Sequence, residues 1–405
     1  MASVLAGVER AMAGEWELEY LTPHVGDSDA QRVIHRFGTG DVHPRNVPQV
    51  WEYVRSGSKA VAELLQSAHY DLLLPQDGAY SGFFTIRGAA GSGIPVVPMD
   101  HGNVTLPGSP SFRDERLAQP RRRLTPRSLS LARFALYRRA LARMAAEVAR
   151  SADAFLAAGD DVAAAWRQFG APAGRVVRFP FALDVGAYEP LSSSERIAER
   201  ARAGIPADAV VLSMVNRLVP EKVPVFALRA IARAASLLPQ EQRRRLHVRI
   251  AGDGPLRGQV EAEMRGLGLA STCSLTGALS PEGVIRLLRI SDAFLYTASR
   301  GINSLAVLEA MAAGCAVVGT TTPLLIAEYL DEGRGIAVPQ GDLEATAREV
   351  ARVVGDPELA HEMGTRARAY VVRHHTDAAL RSSLRHAVAV ATDARRGTRP
   401  AQAVR

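Results

Sequence analysis

Ser299–Thr320 reads SRGINSLAVLEAMAAGCAVVGT, and the fold turns on how this stretch is parsed. Asn303 and Ser304 carry short side-chain oxygens that can accept from the free N–H groups of a first helical turn. Leu305, Leu308, Met311 and Ala312 recur at helical spacing, and Gly314 stands where helices usually stop. Ala316-Val317-Val318 follows as a short buried strand. Just upstream, Ser291–Tyr296 reads as another strand, so the unit is strand, loop, helix, strand. A helix opening from the end of a parallel strand offers its amides to a phosphate. Glu309 is the only charge on this helix and needs a partner.

The same alternation continues on both sides. Strand-like runs at Val210–Ser213, Val248–Ala251, Cys273–Leu275 and Gly335–Val338 complete one series. An earlier series comprises Trp16–Thr22, Tyr70–Leu74, Pro95–Pro98, Ala154–Ala157 and Val176–Phe179, with helices over 2–13, 48–67 and 80–91. Strands alternating with helices predict an α/β protein with doubly wound parallel sheets. At 405 residues about two domains are expected. The reading is an N-terminal Rossmann-like domain over 1–188 and a C-terminal one over 189–375, facing a ligand cleft. The Pro/Ser-rich Tyr188–Ser194 sets the boundary. Residues 376–393 read as a last helix packing back across the domains, and 394–405 as a disordered tail.

Composition narrows the class. The 47% hydrophobic and 22% charged content is that of an ordinary globular protein. No run of 18 apolar residues and no signal-peptide core occurs, so a cytoplasmic setting is expected. Cys273 and Cys315 lack metal-ligand spacing and read as small core residues. The net charge of +7 rests on Arg rather than Lys and admits an anionic partner. No nucleic-acid module accompanies it, so no nucleic-acid partner is expected.

Five segments of the second half, in order, resemble the motifs of family-4 retaining glycosyltransferases of the GT-B fold. They are NRLVPEK (216–222), AGDGPL (251–256), TGALSPEGVIRLLRISDAFLYTA (276–298), LEAMAAGCAVV (308–318) and GRGIAVPQGD (333–342). In the first half GIPVVPMDHG, SADAFLAAGDDVAAAW and VRFPFALDVGAY are similar to further stretches of that family. The resemblance implies transfer of a hexose-type sugar from a nucleotide-diphosphate donor to a small-molecule, glycan or lipid-linked acceptor, with retention and without cofactor or metal.

Breaking a sugar–phosphate bond leaves a diphosphate of growing negative charge, which calls for fixed positive charge and N–H donors. Arg217 and Lys222 can point at one such group, Arg as a planar fork and Lys as a point charge. The amides of Asn303, Ser304 and Leu305 would hold other phosphate oxygens. By resemblance Glu309 accepts from the donor ribose, whose two hydroxyls suit a carboxylate's two oxygens. Gly252, Gly254 and Pro255 read as shaping a turn, and Thr276 and Gly277 as a strand end or a backbone reader of the nucleobase. His101, after a strand, resembles the family's first-domain histidine beside the donor sugar. Gln76 and Asp77, also at a strand end, are placed at the acceptor. No general base is required where the departing phosphate takes the acceptor's proton on the face of attack.

Two departures stand out. The family's first carboxylate, eight residues before the second, is here Gly301, preceded by Arg300 and followed by Ile302. Arg300 meeting an anionic or unusual donor sugar is one reading, and Arg300 in solvent the other. The chain also begins at what resembles the family's first helix, without the strand and Gly-Gly loop before it, so a longer, more active form starting upstream is expected. The altered pocket keeps two alternatives open, a cyclitol-coupling relative and a degenerate nucleotide-sugar-binding partner. Residues 121–150 hold nine arginines interleaved with Leu, Phe and Tyr. They read as an amphipathic helix with a solvated face or as a peripheral contact with the inner membrane surface.

Overall fold

The structure is a computed structural model that describes residues 2–22, 33–36, 47–102, 127–299, 304–321 and 325–398. It divides into two compact units, Met1–Ala182 with Asp377–Arg405, and Leu183–Thr376.

In the first unit β1 (Glu19–Thr22) pairs in parallel with β2 (Val33–Arg36), a strand the sequence reading missed. A second parallel sheet has the order β3 (Met99–Asp100), β4 (Phe155–Ala157), β5 (Val176–Arg178). The strands expected at 70–74 and 95–98 contract to one parallel bridge, Leu73 to Val96, leading into β3. Pro75, Pro95 and Pro98 have no N–H to give, so the ladder keeps only isolated rungs. Leu73 N–H donates to Pro95 O and Met99 N–H to Pro75 O. The helix Arg127–Ser151 covers this region with Leu141, Met144, Ala145, Val148 and Ala149, a buried stripe at helical spacing. Its arginines 138, 139, 143 and 150 lie exposed on other faces.

The last helix, Asp377–Thr398, belongs to the first unit. Leu380, Leu384, Ala387 and Ala391 form its buried seam. Arg10 meets Asp377 at 3.1 Å, Arg385 meets Glu15 at 2.8 Å and Arg395 meets Asp153 at 2.9 Å. The disordered tail placed from 394 is therefore corrected: the helix runs on to Thr398, with Arg395 tied down by Asp153, and 399–405 lie outside the described residues.

The second unit starts earlier than the expected 189. Its first turn, Val185–Tyr188, packs on the elements that follow, with Tyr188 buried and Arg368 Nη1 donating to Tyr188 O at 3.1 Å. The Ser-rich run taken for a linker opens a helix instead. Ser192 Oγ accepts from Glu195 N–H while the Glu195 carboxylate accepts from Ser192 N–H, a capping box for Ser193–Arg202.

Six parallel strands follow: β6 (Val210–Val215), β7 (Leu246–Ala251), β8 (Cys273–Gly277), β9 (Ala293–Tyr296), β10 (Ala316–Thr321) and β11 (Gly335–Pro339). They lie side by side as β8-β7-β6-β9-β10-β11. Alternate residues of β6 serve opposite faces. Leu212 and Met214 join a large apolar cluster that includes Leu228 and Ile231 of the helix Pro224–Leu237 and Val350 of Leu343–Gly355. Val211 joins a smaller cluster with Ile205 and Ile290. Helices on both faces of a parallel sheet in this order make a doubly wound domain, whose strand order reverses between β6 and β9. Cys273 and Cys315 are buried, and burial pushes both thiols up to about 12.

Candidate functional site

In an open parallel sheet, ligands meet the loops at the carboxyl ends of the strands where the order reverses. In the second unit those loops follow β6 and β9. They are laced together: Ser299 N–H donates to Glu221 O at 2.7 Å and Thr297 Oγ1 donates to Lys222 O at 3.0 Å. The loop after β7 braces the β6 loop from the other side. Leu218 N–H donates to Asp253 O at 2.9 Å, and Leu256 N–H to Leu218 O at 3.0 Å. Gly252 and Gly254 have φ of 142° and 155°. A Cβ on Gly252 would lie 1.8 Å from Asn216 O, and one on Gly254 2.6 Å from Leu218 O. Only glycine permits this approach, so both residues shape the turn under Arg217.

Lys222 and Arg217 share this loop but take different surroundings. Lys222 Nζ donates to Tyr296 Oη at 3.1 Å and lies 5.0 Å from that ring's centroid. Tyr296, the buried last residue of β9, thus seats the lysine at the strand reversal. Arg217 is 75% exposed and meets Glu221 at 3.6 Å. Lys222 is followed by Val223 at φ 40° and ψ 51°, a left-handed conformation that a β-branched residue adopts only under strain. Asn216 Oδ1, at the head of the loop, is buried and has no hydrogen-bond donor among the described residues.

After β9 the helix Leu305–Ala312 opens at Ser304. Of the two expected caps, Ser304, in extended backbone at φ −143°, makes no cap hydrogen bond, and no acid stands in the first turn. Its first amides therefore keep their positive end unneutralised by the helix's own side chains. Arg300, Gly301, Ile302 and Asn303 lie outside the described residues. Glu309 has the partner its isolation demanded, Tyr188, whose hydroxyl donates to Oε1 at 3.0 Å. Burial pushes the Glu309 carboxyl up, and the hydrogen bond from Tyr188 pulls it back toward the charged form. Tyr188, 121 residues away, was invisible to the sequence reading, which spent it on a domain boundary. Thr276 is the penultimate residue of β8, its Oγ1 donating to Ile250 O at 3.3 Å, and Gly277, the last, takes φ 77°. Both sit on the sheet's edge strand, separated from β6 by β7.

In the first unit His101 follows β3. Its Nε2 lies 2.9 Å from Gln76 Oε1, and its ring packs against Phe179 and Phe181 at centroid distances of 5.7 and 6.0 Å. Burial lowers its pKa to about 4, so the imidazole is neutral near pH 7. His101 Nδ1 is buried without a partner among the described residues. Asp100 beside it accepts from Gly102 N–H at 2.9 Å and from Trp166 Nε1–H at 3.0 Å. Burial lifts this carboxyl to about 7 against those two hydrogen bonds.

Gln76 and Asp77, expected at the acceptor, both make hydrogen bonds within the first unit. Asp77 caps the helix Tyr80–Gly88, its two carboxylate oxygens accepting from Tyr80 N–H at 2.7 Å and Ser81 N–H at 3.1 Å. Gln76 donates to Leu74 O at 3.0 Å and turns its oxygen to His101. Asp77 thus holds a helix start and Gln76 links the Leu74 carbonyl to the His101 ring. Among the described residues no three His, Cys, Asp or Glu side chains gather as metal ligands, and no helix is long and apolar enough to cross a membrane.

Comparison with known proteins agrees with this architecture. Residues 1–186 match the model described as Glycosyltransferase Family 4, and 195–370 match Glycosyl transferases group 1. A D-inositol 3-phosphate glycosyltransferase of Saccharomonospora viridis is 34% identical over 46% of this chain and 44% of its own. One of the same name from Kineococcus radiotolerans is 30% identical over 49% and 48%. The chain thus spans about half the length of the curated relatives it matches. Among solved structures, Anabaena HepE in complex with UDP and glucose superposes with a TM-score of 0.69 at 16% identity, over 96% of both chains. Sucrose-phosphate synthase of Thermosynechococcus elongatus gives 0.72 at 18% identity, over 94% of this chain and 90% of its own. Two family models that between them take in nearly the whole chain, on a matching fold, place it among the family-4-like glycosyltransferases of the GT-B fold.

Proposed function

We propose that the chain transfers a sugar from a nucleoside-diphosphate sugar, with retention of anomeric configuration and without a metal. The observation that carries this reading is the pairing, at the strand reversal of the second unit, of a seated lysine with a helix start that Ser304 leaves without a side-chain cap. Lys222 on Tyr296 and the amides of Ser304 and Leu305 supply fixed positive potential to a departing diphosphate. Arg217, mostly exposed, leaves Glu221 to reach the same group. Glu309, held by Tyr188, takes the ribose hydroxyls, while Asn216 Oδ1 is a further acceptor for a hydroxyl. His101 meets a sugar hydroxyl as a neutral imidazole. The leaving phosphate oxygen removes the acceptor's proton on the face of attack.

The acceptor class to try first is a cyclitol phosphate, because the curated relatives are named for D-inositol 3-phosphate. For the donor, Gly301 in place of a carboxylate favours an anionic or otherwise unusual sugar that Arg300 would meet. The exposed arginines of Arg127–Ser151 suit a peripheral contact with an anionic membrane surface. A nucleotide-release assay across nucleoside-diphosphate sugars, with and without D-inositol 3-phosphate and with and without EDTA, tests the reading. Release that depends on the acceptor and persists in EDTA is expected. No release with any donor would refute it.

A further inference from the structure

The environment of His101 is asymmetric. One ring nitrogen is hydrogen-bonded, the other is buried without a partner among the described residues, and two phenyl rings pack against the imidazole. Which nitrogen carries the proton follows from Gln76. Its amide nitrogen donates to the backbone carbonyl of Leu74, so the carboxamide cannot be reversed without setting an oxygen against an oxygen. The amide oxygen is thereby left facing His101 Nε2, and an oxygen there can only accept.

We propose that Gln76 is a positioning residue that fixes His101 as the Nε2–H tautomer, so that Nδ1 is presented as a hydrogen-bond acceptor for a hydroxyl of the sugar. This rests on the function proposed above and adds a selectivity to it. A site of this kind accepts a hydroxyl and rejects a group in the same place that cannot donate, because the buried Nδ1 would then stay unpaired. The surroundings do not undo the assignment. Asp100 is turned to Gly102 N–H and Trp166, and Asp77 to the amides of Tyr80 and Ser81, so neither carboxyl bonds the ring. The neutral ring that burial enforces is the only form with an acceptor to offer.

The test uses the full chain with isotope-labelled histidine, read by NMR from pH 5 to 8, together with steady-state kinetics. In the parent the carbon and nitrogen shifts of His101 should report a neutral Nε2–H ring throughout. Gln76→Glu places a carboxylate on Nε2 and should make the ring a cation at pH 6, so Nδ1 becomes a donor. Gln76→Leu should lose the single-tautomer signature and lower kcat/KM by about tenfold or more, with nucleoside-diphosphate affinity unchanged. An Nδ1–H or cationic His101 in the parent overturns the proposal. So does Gln76→Leu with an unaltered signature and unaltered kinetics. A parent that turns over no nucleotide sugar counts against the function itself and leaves the NMR arm to decide the tautomer.

Discussion

The two units reach the same end, a polar group held at the carboxyl end of a parallel strand, by different means. In the second unit a six-stranded parallel sheet underlies the site, and Lys222, Ser304 and Glu309 inherit their places from strand order. In the first, β3 is two residues long and its neighbour is a single bridge, because prolines interrupt the ladder. There His101, Gln76, Asp77 and Asp100 are placed by individual side-chain hydrogen bonds. A site set by topology tolerates the loss of one contact, whereas one set by single bonds depends on each.

Four variants break or sharpen this contrast, beginning with the largest effect. Lys222→Ala removes charge from a position the sheet has already fixed. Turnover of the nucleotide sugar should fall roughly 100- to 1,000-fold, the size of losing one preorganised charge-stabilising donor, with the thermal melting point within a few degrees of the parent. His101→Ala should cost turnover less but stability more, since it leaves Gln76 Oε1 without its donor; the reverse ranking would erase the distinction between the units.

Tyr188→Phe tests whether the second unit also depends on a single bond. The hydroxyl holds the Glu309 carboxyl down against burial, so its loss raises that pKa further. The protonated acid accepts fewer hydrogen bonds, so affinity for a nucleoside diphosphate should drop more as pH falls. A loss of about threefold at pH 8, growing to about tenfold at pH 5.5, is of the order of one hydrogen bond. Calorimetric titration at both values checks it, and a loss that shrank with falling pH would contradict the role given to Tyr188.

The smallest effect concerns Val223, left-handed at φ 40° beside Lys222. Val223→Gly removes the strain but gives the unfolded chain more freedom, so a net gain of about 0.5–1 kcal/mol is expected. Urea denaturation measures it. A loss of stability would mean that the valine side chain contributes more by packing than its backbone costs.

What the sequence made legible follows the same divide. NRLVPEK and AGDGPL could be read because the approach of two loops requires glycine at 252 and 254. The doubly wound parallel class was implied by the regular alternation of strand-like and helical runs, while the strand order was not. Tyr188 escaped because a partner 121 residues away leaves no local trace. The capping box at Ser192 and Glu195 did leave one, Ser followed three residues later by Glu, but Pro190 and the neighbouring serines read as a linker. Asp77 and Gln76 were seen at a strand end and given to a substrate, although Asp77 three residues before the helix Tyr80–Gly88 is a capping position. In a proline-broken sheet, a strand end says little about which way a side chain turns.

The central claim is that the second unit grips a nucleoside diphosphate where β6 and β9 diverge. Amide hydrogen exchange of the full chain, with and without the nucleoside diphosphate that most raises its melting temperature, tests this directly. Protection concentrated in the loop 216–222 and at the start of the helix Leu305–Ala312 is the predicted result. Protection confined to other parts of the chain, with these two segments unchanged, would contradict it.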